Sequence, residues 1–446
     1  MTSISFALRA QDYSSPEYIS LGREMPRSKV VPYPTAEEAQ ALGAGVVASK
    51  YVRPVTKWSR SEEADAVVFT STYVVPFSWL SRMAILYVDE ASGAYEVLIN
   101  GKKVGYAANA FSPAEFDVTK SSKEDVNTIS IRVLREHISS QMECFNDATE
   151  PHVGEVFVMS QPVIRVRDVV QKANLDVKND FANIEVGVVV KTETLNPKKA
   201  RIHYELVSPD TTVVTYGHRD ITIGMKQEDT IKFMAQIPRS KMWSADSPSR
   251  YRLNLRTQIE GRYVEYLSQM IGFRTVEYKG EEKYVINGEE VELKYCDVNP
   301  MKVTDKDVIK AQESKCNALR FKMGAVPQNV YRMCDSLGMY VVAKVPINTK
   351  SSGVSRRKGG NPSNDPEWKS AYLDRAETAY RTTSGQACVI GYMIAEESAN
   401  GINLYDSYLR LKSLEKSRPI IYRDSEGEWN SDSVLKSNFL PRCVNH

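Results

Sequence analysis

The chain of 446 residues is poor in the features that announce a dedicated chemistry. No stretch approaches about 18 uninterrupted apolar residues, so the sequence offers no transmembrane helix. Lys and Arg number 58 against 56 Asp and Glu, a net charge of +2, which leaves no basic footprint for nucleic acid and none for an anionic membrane. The six cysteines, Cys144, Cys296, Cys316, Cys334, Cys388 and Cys443, include no CxxC pair. That spacing argues against a zinc site and a dense disulfide scaffold, and all six are expected to be small core residues. The five histidines, His137, His152, His203, His218 and His446, share no i,i+4 spacing, so no metalloprotease helix is present. A GxSxG elbow and a GxxxxGKS/T phosphate loop are also missing, and no cofactor is expected. What remains is ordinary globular material, 42% apolar and 26% charged, long enough for two to four domains.

Three textures divide the chain. An N-terminal extension, 1–60, comes first; its residues 3–10 read either as the tail of an export signal or as a frayed terminus. The signal reading tilts the expected compartment towards the periplasm, the cell surface or the outside. From 61 to 162, short alternating runs at 84–88, 95–99 and 128–133 predict strands, and Asn100-Gly101 directly after the second is a strong hairpin signal. Strands at such spacing predict a β jelly roll. From 163 to 277, the runs 184–190, 201–207 and 251–256 have the rhythm of a seven-stranded immunoglobulin-like sandwich, without a cysteine. After Tyr278, apolar runs at 317–321, 339–343, 388–394 and 418–422 alternate with helical stretches at 305–315, 326–337, 367–380 and 404–414. Strands buried on both faces and separated by helices predict a parallel sheet. The residues from 278 to 446 hold five or six such strands, short of the eight of a (β/α)₈ TIM barrel, so an incomplete barrel is expected. The basic, glycine-rich segment 351–362 reads as a mobile surface loop and not as a phosphate cradle.

The ordered motifs resemble one family. Met25-Pro-Arg27 and Val31-Pro-Tyr-Pro34 are similar to the opening segment of the β-galactosidases of glycoside hydrolase family 2. Val97-Leu-Ile-Asn-Gly-Lys-Lys-Val-Gly-Tyr106 resembles the hairpin of that family's sugar-binding jelly roll. The likeness continues through Ile271-Gly-Phe-Arg274, Ile286-Asn-Gly-Glu289, Cys316-Asn-Ala-Leu-Arg320, Met333-Cys-Asp-Ser-Leu-Gly-Met-Tyr-Val-Val342 and Asp365-Pro-Glu-Trp368. It implies the three-domain order of jelly roll, immunoglobulin-like sandwich and TIM barrel.

The chemistry implied by the resemblance is retaining glycoside hydrolysis, with one carboxyl as acid/base and a second, about 5–5.5 Å away, as nucleophile. The family's acid/base segment corresponds to Gly391-Tyr-Met-Ile-Ala-Glu-Glu-Ser398, which puts Glu397 at the acid/base position. Glu396 stands where the family has a sugar-binding Asn, and an ionised carboxylate cannot donate that hydrogen bond. Lys322-Met-Gly-Ala325 replaces a sugar-facing His element, and Asp297-Val-Asn299 replaces another. Asn348 and Lys350 occupy the positions of the magnesium-binding Glu and His, and an ammonium repels Mg²⁺. The sugar-reaching jelly-roll loop reads Met142-Glu-Cys-Phe-Asn-Asp-Ala-Thr149, where Asp147 is the one candidate contact. The nucleophile strand of the family has no counterpart. Glu396 and Glu397 therefore read either as solvated acids or as an idle remnant.

The resulting expectation is a β-galactosidase-like homologue that has lost catalysis and serves as a carbohydrate-related binding or structural subunit. The alternative is an active retaining β-glycosidase whose missing barrel half and nucleophile come from another chain or a longer form. An incomplete barrel leaves sheet edges open, so a protein partner or self-association is expected there, or capping by residues 425–446, with a glycan as possible ligand.

Overall fold

A computed structural model describes residues 13–42, 49–146, 150–322, 324–357, 359–425 and 427–433. The export-signal reading of residues 3–10 lies outside the described residues, as do Cys443 and most of the proposed C-terminal cap. No helix among the described residues is long and apolar enough to cross a membrane.

The first domain is a sandwich of a six-stranded and a four-stranded antiparallel sheet. Its hairpin turns at Asn100-Gly101, between Tyr95–Ile99 and Lys102–Ala107. Both turn residues take positive φ (51° and 77°), the left-handed pair that matches strand twist in a two-residue turn. The Asn100 amide donates to the buried Asn127 Oδ1 at 2.8 Å and to the Ser121 carbonyl at 2.9 Å, which ties the turn to the next strand. Val97, Ile99, Ile129, Ile131, Leu86 and Phe116 fill the space between the sheets. Part of 1–60, expected as an extension, is woven into this domain. Ser20–Leu21 pairs with Lys102–Ala107, and Val52–Pro54 pairs with Val156–Gln161, each adding a strand to an otherwise open edge.

The second domain packs three strands (Ile164–Asp176, Phe181–Thr192, Glu228–Pro238) on four (Lys198–Val207, Val213–Ile223, Tyr251–Ile259, Arg262–Ile271). Alternation places Ile184, Val186, Val188 and Val190 inward. Tyr204 from one sheet stacks on Phe233 from the other, centroids 4.1 Å apart, which ties the two sheets together through the core. The junction with the first domain is polar. Arg27 donates to Glu115 at 2.7 Å and to the Arg167 carbonyl at 2.6 Å, while Glu24 pairs with Lys191 at 2.8 Å and Arg165 at 3.3 Å.

A three-stranded antiparallel meander (Val276–Tyr278, Tyr284–Ile286, Glu289–Val291) leads into five parallel strands. These are Tyr295–Val298, Ala318–Phe321, Tyr340–Lys344, Val389–Met393 and Ile420–Ile421, arranged side by side in chain order. The intervening helices are Asp305–Glu313, Gln328–Leu337, Lys369–Thr383 and Ile402–Leu414. Thr304 and Asp307 form a capping box at the first helix. The second helix ends at Gly338, in the left-handed conformation with φ 84°, where a Cβ would stand 2.2 Å from the Ala245 carbonyl oxygen. Trp243, fully buried, donates from Nε1 to the Asp335 carbonyl at 2.9 Å and so locks sandwich to barrel. The helix expected from 367 begins instead at Lys369, because Pro366–Trp368 is a 3₁₀ turn capped by the Asp365 carboxylate.

Two expectations need correction. The cysteines are not all isolated core residues, for Cys296 and Cys316 form a disulfide with Cα atoms 5.8 Å apart. Adjacent parallel strands bring the two chain segments together, which their spacing of 20 residues did not disclose. Cys144 is only half-buried, whereas Cys334 and Cys388 are core. The 351–362 segment is also anchored. Its Asn361 is 1% exposed and donates to the carbonyls of Thr349 (3.2 Å) and Gly353 (2.7 Å), while its Oδ1 accepts from Thr349 and from the Ser363 N–H.

Candidate functional site at the barrel mouth

The C-terminal ends of parallel strands collect functional side chains because each strand there hands over to a loop. Here three segments meet. The chain leaving the third strand is bridged at Asn348 to the chain leaving the fourth at Glu396, and on its other side to Glu143 of the jelly-roll turn. Asn348 N–H donates to the Met142 carbonyl at 2.8 Å, Cys144 N–H to the Asn348 carbonyl at 3.1 Å, and Glu396 N–H to the Ile347 carbonyl at 3.0 Å. The jelly-roll stretch singled out from the sequence therefore reaches the barrel mouth, through Met142–Cys144. Asp147 lies outside the described residues.

Glu396 and Glu397 are not freely solvated acids; each side chain is 19% exposed. Glu396 Oε1 accepts from Lys344 Nζ at 2.7 Å, and the same ammonium donates to the Lys322 carbonyl at 2.7 Å. Burial pushes the Lys344 ammonium below its ordinary pKa and Arg423 adds to that, while Glu396 pulls the other way. Lys344 is the residue sequence reading passed over. Its signal is a lysine closing an apolar run, Met339-Tyr-Val-Val-Ala-Lys344, in a strand buried on both faces, where an ammonium must find a partner.

Glu397 sits in the left-handed region at φ 45°, a costly conformation for a residue with a Cβ and one that clusters at functional positions. Its Oε2 accepts from Asn348 Nδ2 at 3.2 Å and faces Lys350 Nζ at 3.6 Å. The Lys350 N–H donates to Asn348 Oδ1 at 3.1 Å, which orients the amide so that its NH₂ end points at Glu397. Ser398 supports the turn, its Oγ donating to the Glu396 carbonyl and accepting from the Thr349 N–H, both at 3.0 Å. The structure thus brings together Asn348, Lys350, Glu396 and Glu397, and adds Lys344.

A magnesium ion of the kind the family resemblance implies does not fit these residues. Asn348 turns its donor end towards the acid and Lys350 its ammonium, whereas Mg²⁺ needs oxygen ligands. Among the described residues no three His, Cys, Asp or Glu side chains converge on a point. Beneath the mouth, Glu143 forms a buried ion pair with Arg375, whose Nη1 also donates to the Pro346 carbonyl at 2.9 Å. This pair fixes the jelly-roll turn to the helix Lys369–Thr383.

Comparison with known proteins places the chain. Residues 3–161 match the sugar-binding domain of glycosyl hydrolases family 2, residues 164–274 the family 2 domain that follows, and residues 289–442 its TIM barrel domain. The β-galactosidase of Priestia megaterium is 25% identical over 90% of this chain and 39% of its own length. That of Pectobacterium atrosepticum is 23% identical over 90% of this chain and 40% of its own length. The chain thus spans about two-fifths of the curated relatives it matches. Among solved structures, a Bacteroides uniformis β-glucuronidase superposes with a TM-score of 0.68 at 16% identity, covering 80% of this chain and 46% of that one. A Dictyoglomus thermophilum β-D-glucuronidase gives 0.66 at 16%, covering 84% and 72%.

Proposed function

This chain belongs to glycosyl hydrolase family 2, and from that premise we propose that its barrel mouth no longer hydrolyses glycosides and serves carbohydrate binding or a structural role within a larger assembly. The observation that carries this reading is the pairing of both carboxylates with nitrogen donors, Glu396 with Lys344 and Glu397 with Asn348 and Lys350. A retaining hydrolase needs a carboxylic acid that gives its proton to the departing glycosidic oxygen. Glu397 Oε2 is placed as an acceptor, between an amide and an ammonium that can only donate. Glu396 is equally committed, since taking it as nucleophile would strip a buried ammonium of its counter-ion.

The docking of the jelly-roll turn on the mouth supports a retained carbohydrate-related role. The outer parallel strands, Tyr295–Val298 and Ile420–Ile421, each have one neighbour among the described residues, which supports the idea of a protein partner or second copy there. Purified protein is expected to leave nitrophenyl β-galactoside and nitrophenyl β-glucuronide intact. Turnover that disappears in Glu397→Gln overturns the proposal. Glycan-array binding then separates the two roles: capture of a sugar supports the binding one, and silence supports the structural one.

A further inference from the structure

The four-stranded sheet of the immunoglobulin-like sandwich carries two histidines directly opposite each other, His203 on Lys198–Val207 and His218 on Val213–Ile223. Both lie on the outer face, His218 exposed and His203 half-buried. Their ring centroids are 5.5 Å apart and the planes meet at 43°. We propose that this pair binds a late first-row divalent cation, Cu²⁺, Ni²⁺ or Zn²⁺, between its two imidazoles, with water completing the coordination.

Geometry carries the case. An imidazole nitrogen binds such ions at about 2.0–2.1 Å, which puts the metal roughly 3.2 Å from each ring centre. Two ring centres 5.5 Å apart then subtend roughly 120° at a shared ion, close to the angles of tetrahedral and trigonal sites.

A second observation is independent of the pairing. His203 Nε2 lies 3.4 Å from Gln258 Oε1, an atom that can only accept a hydrogen bond. This contact holds the proton on Nε2 and leaves the Nδ1 lone pair free, the outer-shell arrangement that metal-binding histidines use. Burial lowers the His203 pKa and the Gln258 contact opposes it, while Arg256, His218 and Arg201 add to the lowering. The nearby cations are partly answered. Arg201 is held by Asp220 at 2.6 and 2.9 Å, and Arg256 lies over the Tyr263 ring at 5.6 Å. The site is on the sandwich and stands apart from the reading of the barrel mouth.

The test is a Cu²⁺ titration of the untagged full chain at pH 7.5, followed by calorimetry and electron paramagnetic resonance. One tight equivalent with two coordinated imidazole nitrogens is expected. His203→Asn and His218→Asn should each weaken it at least tenfold, and His152→Asn should leave it unchanged. Zn²⁺ should compete, and acidification through the imidazole range, about pH 6.5, should release the ion. Tight Cu²⁺ binding that survives in the double variant, or no tight equivalent in the parent chain, overturns the proposal. Should a variant fail to fold, the nitrogen count in ¹⁵N-histidine-labelled parent protein decides: two imidazoles support the site and fewer refute it.

Discussion

Replacing Arg375 by Met should expose how the jelly roll is held on the barrel. Arg375 is 2% exposed and its guanidinium supplies, among the described residues, the one hydrogen bond to the Glu143 carboxylate, whose Oε2 is buried with no partner among those residues. Met fills the volume of the stem and leaves Glu143 as an uncompensated charge. Removing one partner of a buried pair costs about 3–5 kcal/mol, most of it the desolvation of the survivor and not the intrinsic worth of the bond. The lost bond to the Pro346 carbonyl adds roughly 1 kcal/mol. At about 2–4 °C per kcal/mol for a unit of 150–250 residues, the barrel transition should fall by roughly 8–24 °C. Glu143→Leu alone should also destabilise, by stranding the guanidinium. The double variant Arg375→Met/Glu143→Leu substitutes an apolar contact for the pair and should recover most of the loss, a coupling of about 3 kcal/mol between the two sites. Scanning calorimetry of the four proteins measures it. A single-variant shift under about 2 °C, or a double variant that loses the sum of the two singles, refutes the account.

Two glycines with nearly the same φ should respond differently. Gly101→Ala, with open space around the new Cβ, should cost about 1 kcal/mol of backbone strain, whereas Gly338→Ala drives its Cβ to 2.2 Å from the Ala245 carbonyl and should cost several-fold more in denaturant unfolding. Cys296→Ser opens the 20-residue disulfide loop and should lower stability by about 3 kcal/mol, a loss that reducing agent reproduces in the parent chain and not in the variant. Burial works against ionisation of Glu415, yet the Arg418 guanidinium and backbone donors outweigh it and hold the carboxyl at about 2, against an ordinary 4.5. Because this carboxyl is lowered on folding, its contribution of roughly 3 kcal/mol is present above pH 4.5 and lost as pH falls towards 2; Glu415→Gln should flatten that part of the stability–pH curve. Asp335 is opposite in sign: burial pushes its carboxyl up to about 6, so stability falls as pH rises from near 4 to 6, and Asp335→Asn should remove that slope.

The chain's architecture was open to sequence reading wherever a window of about ten residues contains the cause. Asn100-Gly101 specifies its own turn because both residues tolerate positive φ, and the alternation of 184–190 assigns a face to each side chain whatever that strand pairs with. The apolar runs after Tyr278 are buried on both sides, and that alone implies helices on the sheet. The family resemblance also pointed to Glu396, Glu397, Asn348 and Lys350, and the structure shows these four side by side beyond strand ends.

What those residues do there was decided by partners far along the chain. Lys344 meets Glu396 across 52 residues, and Glu143 meets Arg375 across 232. Cys296 meets Cys316 only because two parallel strands adopt one register, and His203 faces His218 only because two antiparallel strands adopt another. A register slip of one residue would turn the second imidazole to the opposite face. The wide scatter of the few histidines and cysteines is a property of linear spacing. Proximity is set by loop closure and sheet register, which the packing of distant apolar faces selects, so chemistry that looked absent along the chain is assembled in the fold.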